Sequence, residues 1–272
     1  MASFVSDPYL PSYEPAHEEL LLLCEANAKN LVANCNVSSK NAHGEAWVST
    51  PGNNRPDLQL TVYSCKEPNS SLKRWLGVCL FPATDCVELM NYFNDLQKRL
   101  TWDKNCSHLE AHHLYTWPVI DPSAAPTAEK KTLGVHNSLK FLRCTTSAVG
   151  PISARDFVDI NYLRHDVDRS GKVYAVLSCG GVTPELENAH KTKYSTIYPV
   201  VPGVVRGTTS GGCGWYIKQD RDAGTGEYTD ACTVSYVIHS DIKGWLPSML
   251  INSAIGGTFA EFFEAVKKSR LP

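Results

Sequence analysis

Apolar residues recur along this chain with two different periods, and the change from one to the other divides it into elements. After a proline-rich lead, residues 1–12, the residues Leu20, Cys24, Ala28, Leu31 and Cys35 fall at helical spacing and predict a helix over 17–35 with one covering side. Stretches rich in Val, Leu, Tyr and Trp follow at 46–49, 58–65 and 73–81, parted by Pro, Gly, Asn and Ser, which predicts an antiparallel meander. Val87, Leu89, Met90, Phe93, Leu96 and Leu100 then return to the helical period over 85–100, with Asp85 and Glu88 spaced as a capping box.

Beyond that helix the strand pattern dominates, at 108–117, 138–147, 157–164, 173–179, 204–207, 215–218 and 233–239. The segment 121–130 is small, polar and proline-containing, and reads as an exposed insertion between two strands. Proline at 247 suits a first helical turn, and Leu250, Ile251, Ile255, Phe259, Phe262, Phe263 and Val266 predict a long apolar helix from there to about residue 269. Gly256 and Gly257 interrupt it at a cost of about 0.5–1 kcal/mol each. Two reasons are available: close packing of the helix on the sheet, or a bending point with room for a ligand beneath. The fold class is therefore α+β, a long curved antiparallel sheet flanked by three helices, with one domain over 13–272. A sheet of that kind can hold a cavity under its last helix.

Charge narrows the partners. With 26 basic against 28 acidic side chains the net charge is -2, so no global positive field draws the chain to nucleic acid or to an anionic bilayer, and any membrane contact must be local and transient. The N-terminus has no basic stretch followed by an apolar one, and the leucines at 20–23 are far too few to cross a bilayer, which predicts a cytoplasmic protein. Ala2 excludes myristoylation, and the last three residues do not match the peroxisomal tripeptide. Ten cysteines without a CxxC pair read as reduced thiols, and the sequons at Asn36, Asn69 and Asn105 matter only in an exported chain.

Catalytic chemistry finds little support. His108 and His112 lie on a predicted strand, about 13 Å apart, too far to share a metal ion. The glycine-rich stretch 207–215 matches neither the P-loop nor the dinucleotide fingerprint and reads as a β-turn. There is no GxSxG elbow, and Cys213 has no companion that spacing alone can assign to it. No enzyme activity, metal or cofactor is expected.

Two long motifs carry a resemblance. ISARDFVDINYL at 152–163 and CTVSYVIHSDIKGWLPSMLI at 232–251, joined by Gly203 to Gly207 and the glycines at 211 and 212, with Trp102-Asp103 after the middle helix, resemble the START domain family over 13–271. The wording is closest to the sterol-transfer branch that includes the steroidogenic acute regulatory protein, with a carotenoid-binding protein among its insect members. The resemblance implies a helix-grip fold, a monomer, a cavity for one apolar lipid, and a C-terminal helix acting as its lid.

In the sterol carriers of that family a buried arginine pairs with a carboxylate; the ungapped positions here are Asn161 and Leu142, so the ion pair is missing, with Arg143 beside it. That favours an apolar or weakly polar ligand, since an unanswered buried charge is costly. The candidate lining is Leu142, Arg143, Asp159, Asn161, Trp215, His239, Leu250, Ile251, Ile255, Phe259 and Phe262, with Gly256 and Gly257 as the hinge of the lid. Asp159 shares a face with Asn161 by strand alternation and His239 lies on another strand, so either can anchor a polar group. Residues 180–202 form a long connection that either widens the cavity mouth or has no role.

Overall fold

The computed structural model describes residues 15–38, 40–124, 131–148, 153–183, 185 and 202–270, with side chains from residue 19 onward. Most of the long connection at 180–202 and the tip of the 121–130 segment lie outside the described residues.

Twelve strands and four α-helices are present among them. The strands are β1 (Val48–Ser49), β2 (Leu60–Cys65), β3 (Arg74–Phe81), β4 (Cys106–Ile120), β5 (Thr132–Thr146), β6 (Arg155–Val167), β7 (Val173–Gly180), β8 (Val205–Arg206), β9 (Thr208–Thr209), β10 (Cys213–Arg221), β11 (Tyr228–Ile238) and β12 (Ser240–Asp241). The helices are α1 (Pro15–Asn34), α2 (Cys86–Asn94), α3 (Leu96–Trp102) and α4 (Ser248–Arg270). One sheet runs in the order β1-β2-β3-β11-β10-β7-β6-β5-β4, every neighbouring pair along it antiparallel, with β8 alone added in parallel to β6. β3 pairs with β11, Trp75 opposite Ile238, so the first and last parts of the chain meet in the middle of the sheet.

Strand alternation divides the core in two. On one face α1 sets Leu20, Cys24, Ala28 and Leu31 against Leu76, Phe141, Ile160, Leu177 and Val237. On the other, α2, α3 and α4 bring Met90, Phe93, Trp102, Phe259, Phe262 and Phe263 onto Trp75, Val176, Trp215, Ile217 and Val234. Burying a ring or branched chain of this size stabilises by about 1.5–3 kcal/mol, so each face carries a full core. No described helix is long and apolar enough to cross a membrane.

The helix expected over 85–100 is two helices. Asp95 ends α2 and caps α3, accepting from the backbone amides of Gln97 and Lys98 at 3.1 and 3.0 Å. The apolar spacing runs through this break, which hides it from periodicity. Asp85 caps α2 through the amides of Val87 and Glu88, but the Glu88 carboxylate turns away to Arg270 at 2.9 Å, so the capping box is half made. The strand expected at 204–207 shortens to two residues, and the β9–β12 pair was not foreseen.

The glycine-rich stretch is shaped by α1. At Gly212, φ is +70° and a Cβ would stand 2.9 Å from Asn34 Nδ2, so only glycine lets the turn approach the helix. There Asn34 donates to the Gly212 carbonyl at 3.0 Å, and the Gly212 amide donates to Asn27.

The motifs that carry the family resemblance touch one another. Arg155 donates to the Ile242 carbonyl at 2.6 Å and also reaches the Lys243 carbonyl, fixing the segment that leads into α4. Asp156, with no exposed surface, accepts from Arg206 at 2.7 and 2.8 Å and from Arg143 at 3.1 Å.

The two glycines of α4 have different surroundings. A Cβ on Gly256 would lie 2.9 Å from the Trp75 ring and 2.7 Å from Asn53 Nδ2, whereas one on Gly257 would meet nothing within 4 Å. Gly256→Ala should therefore destabilise the protein by about 1–3 kcal/mol through overpacking, and Gly257→Ala should stabilise it by about 0.5–1 kcal/mol through helix propensity. Urea unfolding of the two single variants checks this; equal effects of one sign would refute the packing argument.

Candidate functional site

Inward-facing residues of β5, β6, β7, β10 and β11 leave a gap beneath α4. The result is a cavity of about 280 Å³, near the small end of ligand-sized sites. Ile255, Thr258, Phe259 and Phe262 of α4 roof it. Trp215 and Tyr236, on adjacent strands, stack with ring planes 11° apart, and Phe262 lies over Trp215 at 4.7 Å between centroids. These rings make that end of the wall apolar.

The opposite wall is more polar. Leu142 and Asp159 are register partners across β5 and β6. Asn161 donates to the Ser178 hydroxyl at 2.9 Å across β6 and β7, a neutral pair. Asp159 is bonded to Thr209, but its Oδ1 is buried without any hydrogen-bond partner. Burial pushes its carboxyl up to about 7 against the opposing pull of the Thr209 hydrogen bond and the Arg99 charge. An uncompensated acceptor inside an otherwise satisfied wall is a place where a ligand gains a hydrogen bond.

Arg99 and Asp103 enter from α3, joined at 3.0 Å, and both line the cavity. Below them Cys106 and Cys144 place their sulfur atoms 3.4 Å apart in the same wall. Asp103, Asn105 and Phe262 also line a neighbouring groove of about 610 Å³ between the end of α3 and the second half of α4. The two spaces thus share side chains as a common wall.

Seven of the residues singled out from sequence come together in the wall: Leu142, Asp159, Asn161, Trp215, Ile255, Phe259 and Phe262. The others are placed elsewhere. Arg143 points to the opposite side of β5 and pairs with Asp156, as strand alternation requires once Leu142 faces inward. His239 is buried beside Ser210, its Nδ1 2.7 Å from the hydroxyl; that keeps it with the Arg74–Glu67 pair and out of the cavity lining. Leu250 is 56% exposed and Ile251 half-buried, and neither lines the cavity. Gly256 is packed on Trp75 and Gly257 faces outward.

Sequence reasoning missed Arg99, Asp103 and the cysteine pair. Lys98, Arg99 and Asp103 look like the solvated side of an amphipathic helix, and only the break at Asp95 rotates Arg99 inward. Lys140, opposite Asn161 in the register, was also passed over; it is buried, and burial followed by the Arg99 charge pushes its ammonium below the ordinary lysine range. Among the described residues no group of three His, Cys, Asp or Glu side chains is arranged to hold a metal ion.

Comparison with known proteins agrees with this architecture. The family model described as START domain matches residues 32–271. Among solved structures, the human StAR-related lipid transfer protein 5 superposes with a TM-score of 0.58 at 19% identity, covering 93% of this chain and 98% of its own. A STAR-related lipid transfer protein fragment from Xanthomonas axonopodis gives 0.53 at 18% identity, covering 83% and 99%. The human StarD13 (DLC2) lipid transfer and protein localization domain gives 0.52 at 16% identity, covering 96% and 100%. At these identities the structures speak for the fold. A search of curated protein sequences finds no match.

Asp159 makes stability pH-dependent in a defined direction. Its carboxyl is held up near 7 when folded and ionises near 4 when unfolded, so between those values the unfolded chain releases a proton that the folded one keeps. Stability from this group is full below about pH 4 and is lost as the pH rises towards 7. Asp159→Asn should remove that loss: the ligand-free variant should gain on the order of 1–4 kcal/mol over the parent at pH 7.5 and little at pH 4. Urea titrations at both pH values measure the difference, and an equal offset at each would exclude this role.

Proposed function

The chain belongs to the START domain family, and we propose that it binds one largely apolar lipid with a single small polar group beneath α4 and carries it between membranes. START domains bind and transfer lipid in an internal cavity, which is the premise for reading this cavity as a lipid site. The observation that carries the finer reading is the unpartnered Oδ1 of Asp159 in a cavity that Leu142, Phe157, Trp215, Tyr236 and Phe259 also line. A hydroxyl or a protonated partner placed there satisfies the carboxyl, while the hydrocarbon body gains about 0.8 kcal/mol per buried methylene. A sterol or a hydroxylated carotenoid has that form. Leu142, Asp159 and Asn161 then hold the polar end, and Trp215, Ile255, Phe259 and Phe262 hold the body.

A phospholipid is the second reading, favoured by the positive charge of Arg99 in the same wall. Catalysis is the least favoured reading: among the described residues no histidine lines this cavity, and a carrier's ligand leaves unchanged.

Release requires a water-free path. The groove between α3 and α4, which shares Asp103, Asn105 and Phe262 with the cavity, becomes that path when α4 moves as a lid. The bilayer contact is the loop before α4 and its first turn, where Trp245 is 86%, Met249 76% and Leu250 56% exposed, with Lys243 beside them. An aromatic ring, two apolar chains and a cation on one edge suit the interfacial layer of a membrane. This patch favours a shuttle over a storage protein, and the cytoplasm is the compartment that fits a carrier of reduced thiols.

Purified protein offered sterols, carotenoids and phospholipids in separate vesicle preparations should retain one sterol or carotenoid per chain, read by native mass spectrometry and absorbance. Retention of phospholipid alone would transfer the reading to Arg99, and no retained lipid would refute it. Replacing Trp245 and Leu250 together by serine should slow transfer between vesicles about tenfold or more while leaving the retained stoichiometry unchanged. Equal loss of both would show that the patch serves the cavity and not the membrane.

A further inference from the structure

All ten cysteines are free thiols, and nine of them are shifted upward, eight chiefly by burial. Cys106 departs from the rest. It opens β4, where the register slips between Cys106 and His108, and this bulge brings its side chain towards Cys144 of β5 on the same face. The two sulfur atoms are 3.4 Å apart and both line the cavity. Hydrogen bonding from Cys144, followed by the charge of Arg99, holds the Cys106 thiol below its ordinary value, while the Cys144 thiol is raised as the donor of that bond. The pair is thus one nucleophilic sulfur with a second thiol in contact, facing a space that a small molecule can enter.

The geometry points to Cys106 and Cys144 as a reversible redox pair, oxidised to a disulfide by a hydroperoxide that reaches them through the cavity. In the first step the Cys106 thiolate attacks one peroxide oxygen and the O–O bond breaks. Cys106 becomes a sulfenic acid, and the other oxygen leaves as hydroxide, which takes up a proton. In the second step the Cys144 sulfur attacks the sulfenic sulfur, the S–O bond breaks, and water leaves with the Cys144 proton. Two thiols have given up two electrons and hydrogen peroxide has become two waters. Closing the contact from 3.4 Å to the roughly 2.05 Å of a disulfide is a movement within reach of two side chains already facing each other. A dithiol reductant reverses the change. Oxidation removes two titratable thiols from the wall near Arg99 and ties β4 to β5.

The test uses the full chain, fully reduced, treated with hydrogen peroxide, then alkylated, digested and mapped by mass spectrometry. The expected product is one cross-link between the Cys106 and Cys144 peptides, lighter by two hydrogen atoms, restored by a dithiol, with Cys179 and Cys232 alkylated only after unfolding. In Cys144→Ser the reaction should stop at a sulfenic acid on Cys106 that a cyclic diketone traps. The wild-type map stands without that variant. The proposal falls if both thiols survive peroxide as well as Cys179 does, if Cys106 cross-links elsewhere, or if its sulfenic acid accumulates in the wild type without closing.

Discussion

A carboxylate with no exposed surface must be answered by cations, and Asp156 is answered by two. Arg206 and Arg143 converge on it from β8 and β5, while the preceding residue, Arg155, reaches across to the carbonyls of Ile242 and Lys243. Removing one partner of such a group costs about 3–5 kcal/mol, because the remaining charge is left buried and unpaired. The placement of α4 follows from this knot. The segment that leads into the helix is hung from β6 by Arg155, and further along the same strand Phe157, Asp159 and Asn161, at alternate positions, face the cavity that α4 roofs. The roof and the floor of the site share one anchor.

The wall itself combines two kinds of surface. At the aromatic end, Trp215, Tyr236 and Phe262 are in mutual ring contact, Phe93 packs on Trp215 and Phe259 packs on Tyr236; such an end is apolar and closely packed. At the polar end, Asn161 and Ser178 satisfy each other, Arg99 is tied to Asp103, and only Asp159 retains an unanswered oxygen. The neutral amide at 161 adds no charge to that wall, so its desolvation cost is that of a hydrogen-bonded polar pair.

The strands were legible because alternation of apolar residues survives in them, and the face that Leu142, Asp159 and Asn161 share follows directly from it. Alternation also predicts that Arg143 turns away, and the sequence alone supplied no register to weigh against that rule. The helical part was harder. Asp95 sits inside a continuous apolar period, and a cap is a property of backbone geometry that periodicity does not record; with the break unseen, Arg99 reads as a surface residue. His239 lies between the lining residues Ile238 and Ser240, and Leu250 five residues before Ile255; periodicity alone does not tell which of these side chains reaches the cavity. Cys106 and Cys144 are far apart in sequence, and only the β4 bulge makes them neighbours.

The pairing of β3 with β11 has a consequence for how the chain comes to exist. Trp75 waits for Ile238, so the centre of the sheet is completed only after the long stretch of chain between them has been made. Until then β2–β3 and the β4–β7 ribbon each present an open edge and an uncovered apolar face, and the Phe-rich α4 that will cover one of them has yet to be synthesised. During that interval, pairing of the open edges with other chains competes with completion of the sheet.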